Sequence, residues 1–182
     1  MTCVVGLVDR GRIILGADSA GVSDLDLTVR ADEKVFKNGP FVIGICGSFR
    51  MGQLLRYSFT PPTMPKDEKN LFRYMVTDFV DGVRITLKDG GFAKKENEVE
   101  SATESAFLVG VWGRLFKLDE DYQVGEHVLP YNAVGCGYPF AMGSLHTVPA
   151  SVTPKGKVKK ALEAAEQFSG GVRGPYHYVE TR

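Results

Sequence analysis

The sequence predicts an α+β fold, and three observations lead to this prediction. Apolar, strand-like runs fill most of the first 46 residues, helical periodicity follows between residues 48 and 87, and strand-like runs return after residue 105. Strands and helices that are segregated along a chain in this way are typical of the α+β class. With 182 residues, 43% of them hydrophobic, the chain has the size of a single domain, residues 1–182, with a sizeable core.

The first two predicted strands are residues 2–8 and 12–19, joined by a turn that contains Gly11. Glycine suits a turn position that requires a positive φ. Both strands are apolar at nearly every residue, which predicts a sheet covered on both faces. Two shorter strands, residues 34–37 and 41–45, come next in the sequence.

Two helices are expected in the middle of the chain. Ser48 can cap the first, which continues to about residue 59 and is stopped by Pro61. The second spans residues 67–87, where apolar residues recur at helical spacing, and it should cover one face of a sheet. The polar and aperiodic residues 88–103 are predicted to form a mobile surface loop.

Strands return in the last part of the chain. They are predicted at residues 106–112, 114–118 and 122–128, in a run that ends at residue 134, and at residues 176–179. Two helices should lie between the last two strands, the first of them directly after Gly137. Thr153 can cap the second, which has Pro154 at its first position and ends at Gly170.

Charge and cysteine content exclude several classes of function. The chain has 22 basic and 22 acidic residues, so binding to nucleic acid is disfavoured. It has neither a run of about 18 apolar residues nor an export signal, so we expect no membrane insertion and a cytoplasmic location. Cys3, Cys46 and Cys136 lie in apolar stretches and are expected to be buried, reduced thiols that form no metal site.

Thr2 is the residue that bears most directly on function. It comes directly after the initiator methionine and opens an apolar strand. Removal of Met1 would leave a free α-amine, whose pKa of about 7.7–8.0 allows it to act as a general base within its own residue. Taken alone, a threonine at this position is more often simply the start of a strand, so the interpretation depends on residues at fixed distances further along the chain.

Asp18 lies 16 residues after Thr2, Lys34 lies another 16 residues after Asp18, and Gly47 stands directly behind an apolar strand. At these residues the chain resembles the proteasome β-subunits and the bacterial HslV peptidase, which are N-terminal-nucleophile (Ntn) hydrolases. The two 16-residue spacings match without a gap, whereas the glycine needs a one-residue adjustment. Three coincident spacings are much more specific than any one of them.

Two later stretches extend the resemblance. Residues 133–141 resemble the Gly-Ser-Gly turn by which a strand enters a helix in this family, and residues 167–171 resemble its late Ser-Gly-Gly loop, whereas residues 60–103 match poorly. The resemblance implies a four-layer αββα sandwich, in which two antiparallel sheets are flanked by helices.

The resemblance also implies a role for each matching residue. The hydroxyl of Thr2 would be the nucleophile, with its own α-amine as the base. Lys34 would disfavour protonation of that amine and stabilise a developing alkoxide, and Asp18 would be the partner that a buried lysine requires. The oxyanion hole would be the backbone N–H of Gly47, or that of Ser48 if the alignment has no gap.

Three residues of the late motifs are assigned as accessory groups. Ser169 matches the serine of the Ser-Gly-Gly loop and is carried over as a member of the site. Cys136 stands where the resemblance expects a serine, and Glu166 stands where it expects an aspartate. A thiol is a weaker hydrogen-bond donor and a glutamate has one more methylene, so either change can detune the proton path.

The pocket beside the nucleophile can be predicted from strand alternation. Side chains alternate along residues 41–46, so either Ile45 or Cys46 should point into the pocket next to Thr2. This predicts a small, apolar pocket without fixed charge, and a preference for apolar residues before the scissile bond.

The implied function is a threonine peptidase that hydrolyses peptide bonds of unfolded proteins inside a homo-oligomeric ring assembly. No cofactor is expected; the chain contains no P-loop, so any ATP would be used by a partner unfoldase. Two alternatives remain open, namely a catalytically silent proteasome-like structural subunit and an Ntn amidase that acts on a small amide. Removal of Met1 would distinguish the peptidase from the silent subunit, and formation of closed rings would distinguish it from the amidase.

Other catalytic motifs are incomplete. Residues 17–21 half resemble the G-x-S-x-G nucleophile elbow, but they begin with alanine and no helix comes after them. Residues 135–137 lack the third glycine of a dinucleotide-binding fingerprint. The three histidines show no catalytic arrangement with cysteine or serine, and we interpret them as structural.

Overall fold

The computed structural model describes residues 1–92, 94–96, 99–102 and 105–181, with the backbone alone described for residues 94–96 and 99–101. Every strand pairing in this part of the chain is antiparallel. The strands are β1 (Val4–Asp9), β2 (Arg12–Ala17), β3 (Ala20–Ser23), β4 (Asp26–Val29), β5 (Val35–Asn38), β6 (Phe41–Cys46), β7 (Lys94–Glu96), β8 (Val99–Ser101), β9 (Ala106–Val111), β10 (Arg114–Leu118), β11 (Val124–Glu126), β12 (Tyr131–Val134) and β13 (His177–Glu180). The α-helices are α1 (Phe49–Tyr57), α2 (Leu71–Tyr74), α3 (Val80–Asp89), α4 (Tyr138–Thr147) and α5 (Pro154–Phe168).

A four-stranded sheet in the order β12-β1-β2-β13 carries the beginning of the chain. The register pairs Val4 with both Ala17 and Val134, and it pairs Ala17 with His177. The register therefore brings four strand ends together at one end of this sheet. They are the start of β1, the end of β2, the end of β12 and the start of β13. Residues just outside these strand ends are brought together there, although they are far apart in sequence.

A five-stranded sheet in the order β11-β10-β9-β6-β5 contributes a second set of strand ends. Val35 opens β5 opposite Gly44, and Cys46 closes β6 opposite Ala106. Lys34 consequently lies just before one strand of this sheet, and Gly47 lies just after another. The sheets approach closely, because a Cβ on Gly44 would lie only 2.5 Å from Val4 Cγ1.

Three apolar clusters hold these elements together. One packs α1, α2 and α3 against the five-stranded sheet, and another packs α4 and α5 against the four-stranded sheet. The third contains residues of both sheets, among them Val4, Leu15 and Leu108. Val4 and Val5 belong to different clusters because side chains alternate along a strand, so β1 is buried on both faces as predicted.

Several predicted elements differ from the observed ones. The predicted helix at residues 67–87 is a helical run that begins with a 3₁₀ turn (Glu68–Asn70) and contains a π-helical segment (Met75–Phe79) between α2 and α3. The strands β3 and β4 form a hairpin that was not predicted from the sequence. Each of its strands has only four residues, and every residue of β4 is exposed although Leu27 and Val29 are apolar, so the local pattern gives little signal for this hairpin.

The predicted loop at residues 88–103 also needs correction. Helix α3 continues to Asp89, and β7 pairs with β8 where a loop without strands was expected. Residues 93, 97, 98 and 103 of that prediction lie outside the described residues. Across the described part of the chain, no helix combines the length and apolar character needed to cross a membrane.

Candidate active site

Thr2, Asp18 and Lys34 form a buried triad at the meeting point of the two sheets. Lys34 Nζ donates to Thr2 Oγ1 at 2.8 Å and to Asp18 Oδ1 at 2.8 Å. The three residues are 2%, 0% and 1% exposed, in chain order. A lysine is almost never buried this completely without a partner, and here it has a carboxylate and a hydroxyl within hydrogen-bond distance.

Asp18 is held by backbone groups as well as by the lysine. Its Oδ1 accepts from Cys3 N at 2.9 Å, and its Oδ2 accepts from Ala20 N at 2.9 Å and from Arg173 N at 3.3 Å. These donors come from the segments before β1, after β2 and before β13, which the register brings together at one end of the sheet. Asp18 and Lys34 thus form a buried ion pair and not a solvated pair at a strand end.

The backbone of Thr2 is surrounded by the turn after β12. Thr2 N donates to Cys136 Sγ at 3.3 Å, and Cys136 Sγ donates to Thr2 O at 3.4 Å. Gly135 has φ of +96°, and a Cβ there would lie 2.2 Å from Thr2 O, so only glycine fits between the turn and the backbone of Thr2. Cys136 Sγ also lies 3.3 Å from Ser169 Oγ, which completes a chain of polar contacts from Ser169 to the nitrogen of Thr2.

The three cysteines are free thiols, but of the three burial predictions only that for Cys3 holds in full, and that for Cys136 is wrong. Cys3 is buried and Cys46 is half-buried, whereas Cys136 is exposed. The reason is that β12 ends at Val134, so Cys136 lies in a turn after the strand instead of inside it. Burial is the main cause that raises the pKa of the Cys3 and Cys46 thiols, and both are expected to stay protonated at neutral pH.

Met1 is present in the structure and contacts the side chain of Thr2. Thr2 Oγ1 donates to Met1 O at 2.5 Å, and Met1 is 55% exposed. Its side chain lies against Gly171, where an added Cβ would come within 2.4 Å of Met1 Cβ. Met1 also lines the cavity beside the triad, so its removal would both free the amine and enlarge the space in front of Thr2.

Gly47 lies where β6 enters α1 and has φ of +111°. A Cβ at this position would lie 2.1 Å from Ser105 Oγ, so a side chain is excluded by both conformation and space. Gly47 lines the cavity next to Met1 and Cys46. Ser48 has another task, because its side chain accepts from Arg50 N at 3.2 Å and caps α1. This arrangement favours Gly47 as the donor to a substrate carbonyl.

A cavity of about 1040 Å³ is lined by neighbours of Thr2, among them Met1, Gly135 and Cys136, whereas the buried Thr2 does not line it. Of the two side chains predicted to point into it, Cys46 lines it and Ile45 does not. Ile45 is 3% exposed and packs in the core against Gly52. Alternation along β6 explains the difference, since neighbouring residues face opposite sides of the sheet.

The prediction of a pocket without fixed charge is wrong for this cavity. The acidic turn after β10 and one basic residue contribute to its wall; these are Lys117, Asp119, Glu120 and Asp121. Lys117 Nζ pairs with Asp119 Oδ1 at 2.6 Å. The sequence of these acidic residues indicates only a turn between two strands, because nothing in the local pattern shows that β10 places this turn in the wall of the cavity. Ser105, which packs against Gly47, was missed for the same reason.

Glu166 does not contact Thr2 within the described structure, but it supports the segment that reaches Asp18. Its Oε2 accepts from Gly174 N at 3.2 Å and from the hydroxyl of Tyr176. Burial first, and then this contact, raise the pKa of Tyr176. The expected direct place of Glu166 in the proton path is therefore replaced by an indirect one, in which it holds the residues directly after Arg173, whose N–H contacts Asp18.

Several solved structures resemble this chain over nearly its whole length. BPH from Thiobacillus denitrificans, solved in complex with epoxomicin, is 20% identical with a TM-score of 0.81, and the match covers 98% of this chain and 97% of that one. Eukaryotic HslV from Trypanosoma brucei is 12% identical with a TM-score of 0.69, covering 98% of each chain. Anbu (ancestral beta-subunit) from Yersinia bercovieri is 14% identical with a TM-score of 0.67, covering 99% of this chain and 81% of that one.

The sequence matches no family model and no curated protein. The structural matches extend over nearly the whole chain, so the resemblance drawn from the sequence is confirmed at the level of the fold. The chain has the α+β fold of the proteasome-type Ntn hydrolases, with antiparallel sheets and α-helices.

Proposed function

We propose that this chain is a threonine peptidase subunit that hydrolyses peptide bonds of unfolded polypeptides inside a homo-oligomeric chamber. The nucleophile is Thr2, freed by removal of Met1. The proposal rests on one observation above all, namely the contact of 2.8 Å between Lys34 Nζ and Thr2 Oγ1 in a site where both residues are at most 2% exposed. A buried cation placed on a hydroxyl stabilises the alkoxide that develops during attack.

The chemistry derives from this placement. Once Met1 is removed, Thr2 N is an amine and takes the proton from Oγ1, either directly or through a water molecule. Oγ1 attacks the substrate carbonyl, and the N–H of Gly47 binds the resulting oxyanion. The same amine then gives the proton to the leaving amine, and it later activates the water that hydrolyses the ester. Ser169 and Cys136 orient the amine.

The proposal includes a specific arrangement of the fold. Residues 1–182 form one domain with the layer order helix, sheet, sheet, helix. Support comes from the three apolar clusters, one on the outer face of each sheet and one with residues of both sheets. In this arrangement the triad lies where the ends of the two sheets meet.

Removal of Met1 is the first test. Intact-mass analysis of protein made in bacteria is expected to show the loss of one methionine, because the mechanism requires a free amine at Thr2 and an amide nitrogen is not a base. Epoxyketones, which react with both the hydroxyl and the amine of an N-terminal threonine, should then label the protein at Thr2. One structure of the same fold contains epoxomicin, which makes this compound a suitable probe. Full retention of Met1 in an assembled, natively expressed sample would favour the silent structural subunit.

Assembly is the second test. Large apolar side chains are exposed on the helices that cover both sheets; among them are Tyr57, Ile85, Phe140 and Phe168. Their burial between subunits would stabilise a closed ring, so light scattering coupled to size exclusion should give a particle of about six subunits or more. A clean monomer at micromolar concentration would contradict the chamber and would favour an Ntn amidase that acts on a small amide. A partner unfoldase, which would supply any use of ATP, is part of the chamber proposal.

A further inference from the structure

Ser19 is a buried polar residue that the proposed mechanism does not use. It comes directly after Asp18, between β2 and β3, and it is 1% exposed. Its hydroxyl donates to Pro175 O at 2.6 Å, and its backbone N–H donates to Arg173 O at 2.8 Å. Its own carbonyl accepts from Arg30 N at 2.8 Å. Every polar group of Ser19 therefore has a partner, and two of these partners belong to one short segment.

That segment, residues 173–175, has no regular structure to fix it. It lies between α5 and β13, in neither a helix nor a strand. Its position therefore depends on hydrogen bonds to residues outside it. Glu166 Oε2 accepts from Gly174 N at 3.2 Å, and Ser19 binds the carbonyls of the residues directly before and after Gly174. Ser19 thus supplies two of the contacts that hold the segment in place.

The segment bears on the site because its first residue reaches Asp18. Arg173 N donates to Asp18 Oδ2 at 3.3 Å, which is at the long end of the range for such bonds. Arg173 O is in turn bound by the N–H of Ser19, so one peptide segment lies against two consecutive residues. A small shift of the segment would break the longest contact first. Asp18 Oδ2 would then keep the N–H of Ala20, and its carboxylate would be free to turn.

The orientation of this carboxylate determines where Lys34 lies. Asp18 Oδ1 accepts from Lys34 Nζ at 2.8 Å, and the same Nζ donates to Thr2 Oγ1 at 2.8 Å. When the carboxylate turns, Lys34 follows it, because a buried ammonium needs a negative partner. The ammonium then leaves the position from which it stabilises the developing alkoxide. A misplacement of about 1 Å that starts far from the chemistry can lower a rate by about 10²-fold.

We infer that Ser19 is a positioning residue for Asp18 and Lys34, which it aligns by fixing residues 173–175. This inference rests on the proposed peptidase function. Ser19 acts through other residues, since it is 1% exposed and is not among the described residues that line the cavity. Loss of its hydroxyl should therefore lower kcat and leave KM unchanged.

The test compares Ser19→Ala with Tyr74→Phe, which is the matched control. Tyr74 is 3% exposed, and its hydroxyl donates to Pro62 O at 2.7 Å. Each variant therefore removes one hydroxyl that binds the carbonyl of a proline, but Tyr74 belongs to the cluster beneath α1, α2 and α3. With a fluorogenic peptide, Ser19→Ala should lower kcat by about 10-fold, and Tyr74→Phe should keep the wild-type kcat. KM should stay unchanged in both variants.

A second variant and a second measurement make the test independent of one protein and of activity. Ser19→Cys keeps nearly the size of the side chain but has a weaker donor, so its kcat should lie between those of the wild type and Ser19→Ala. Backbone hydrogen exchange is followed by mass spectrometry on the peptide that contains residues 172–176. Exchange should be about fivefold faster in Ser19→Ala than in the wild type and in Tyr74→Phe, the effect of losing one hydrogen bond.

Three results would overturn the inference. They are a wild-type kcat in Ser19→Ala, an equal loss of kcat in Tyr74→Phe, and unchanged exchange of residues 172–176. If Ser19→Ala does not fold, Ser19→Cys takes its place in both measurements. Absence of hydrolysis by the wild type would instead overturn the proposed peptidase function, and the exchange rates would still decide whether Ser19 fixes the segment.

Discussion

Thr2→Ala is expected to lower peptide hydrolysis by at least about 10³-fold and to abolish labelling by epoxyketones. The variant keeps an amine at the N-terminus after Met1 is removed, but it lacks the oxygen that Lys34 Nζ contacts at 2.8 Å. Thr2→Ser is the matched control, because it keeps that oxygen and should keep measurable hydrolysis. The rates are measured with a fluorogenic peptide, and labelling is measured by intact mass.

Full activity in Thr2→Ala would place the nucleophile elsewhere. From the sequence, Cys3 would be the first alternative to test, since it is the next residue with a nucleophilic side chain. The structure makes it a poor candidate, because Cys3 is fully buried and burial raises the pKa of its thiol. Cys136 is the better alternative, since it is exposed and lines the cavity.

Lys34→Met is expected to lower kcat more than stability, whereas Asp18→Ala is expected mainly to lower the free energy of unfolding. Lys34→Met should reduce kcat by about 10²-fold, comparable to the loss of one oxyanion donor, while leaving the protein folded. The carboxylate of Asp18 would still accept from three backbone N–H groups. Asp18→Ala instead leaves the buried Lys34 ammonium without a negative partner, which typically costs about 3–5 kcal/mol of unfolding free energy.

Urea unfolding and kcat, measured on the same samples, separate these effects. The control is the double variant Lys34→Met with Asp18→Asn, which removes both charges and should recover stability relative to Asp18→Ala without recovering hydrolysis. A Lys34→Met protein that hydrolyses peptides at the wild-type rate would remove the electrostatic role of Lys34. A Lys34→Met protein that is less stable than Asp18→Ala would show that the backbone donors do not support Asp18.

The sequence predicted the parts of the molecule that depend on local pattern and on fixed spacing. The strands β1, β2 and β6 are continuous apolar runs, and Thr2, Asp18 and Lys34 lie next to strand ends, so their convergence was expected from the resemblance. Hydrogen bonds donated by backbone N–H groups could not be predicted from residue pattern or spacing. The N–H of Arg173 that reaches Asp18 belongs to a residue whose side chain says nothing about that contact.

Other differences arose where tertiary pairing decides what a residue faces. Alternation along β6 predicts that either Ile45 or Cys46 faces the pocket. It does not say which of them does, because that depends on the position of the neighbouring sheet. Cys136 looked buried because it comes soon after apolar Val134, but the strand ends before it. The charged wall of the cavity depends on β10 pairing with β9, which places Lys117 and residues 119–121 in the wall of the cavity that Met1 also lines. No local pattern carries that information.

The hydrogen bonds of Asp18 have a consequence for the order in which its surroundings can form during synthesis. One carboxylate joins segments around residues 3, 20, 34 and 173. A nascent chain on the ribosome cannot complete this set of contacts before residue 173 has emerged. The surroundings of Thr2 and Lys34 are therefore expected to stay incomplete until that residue has left the ribosome.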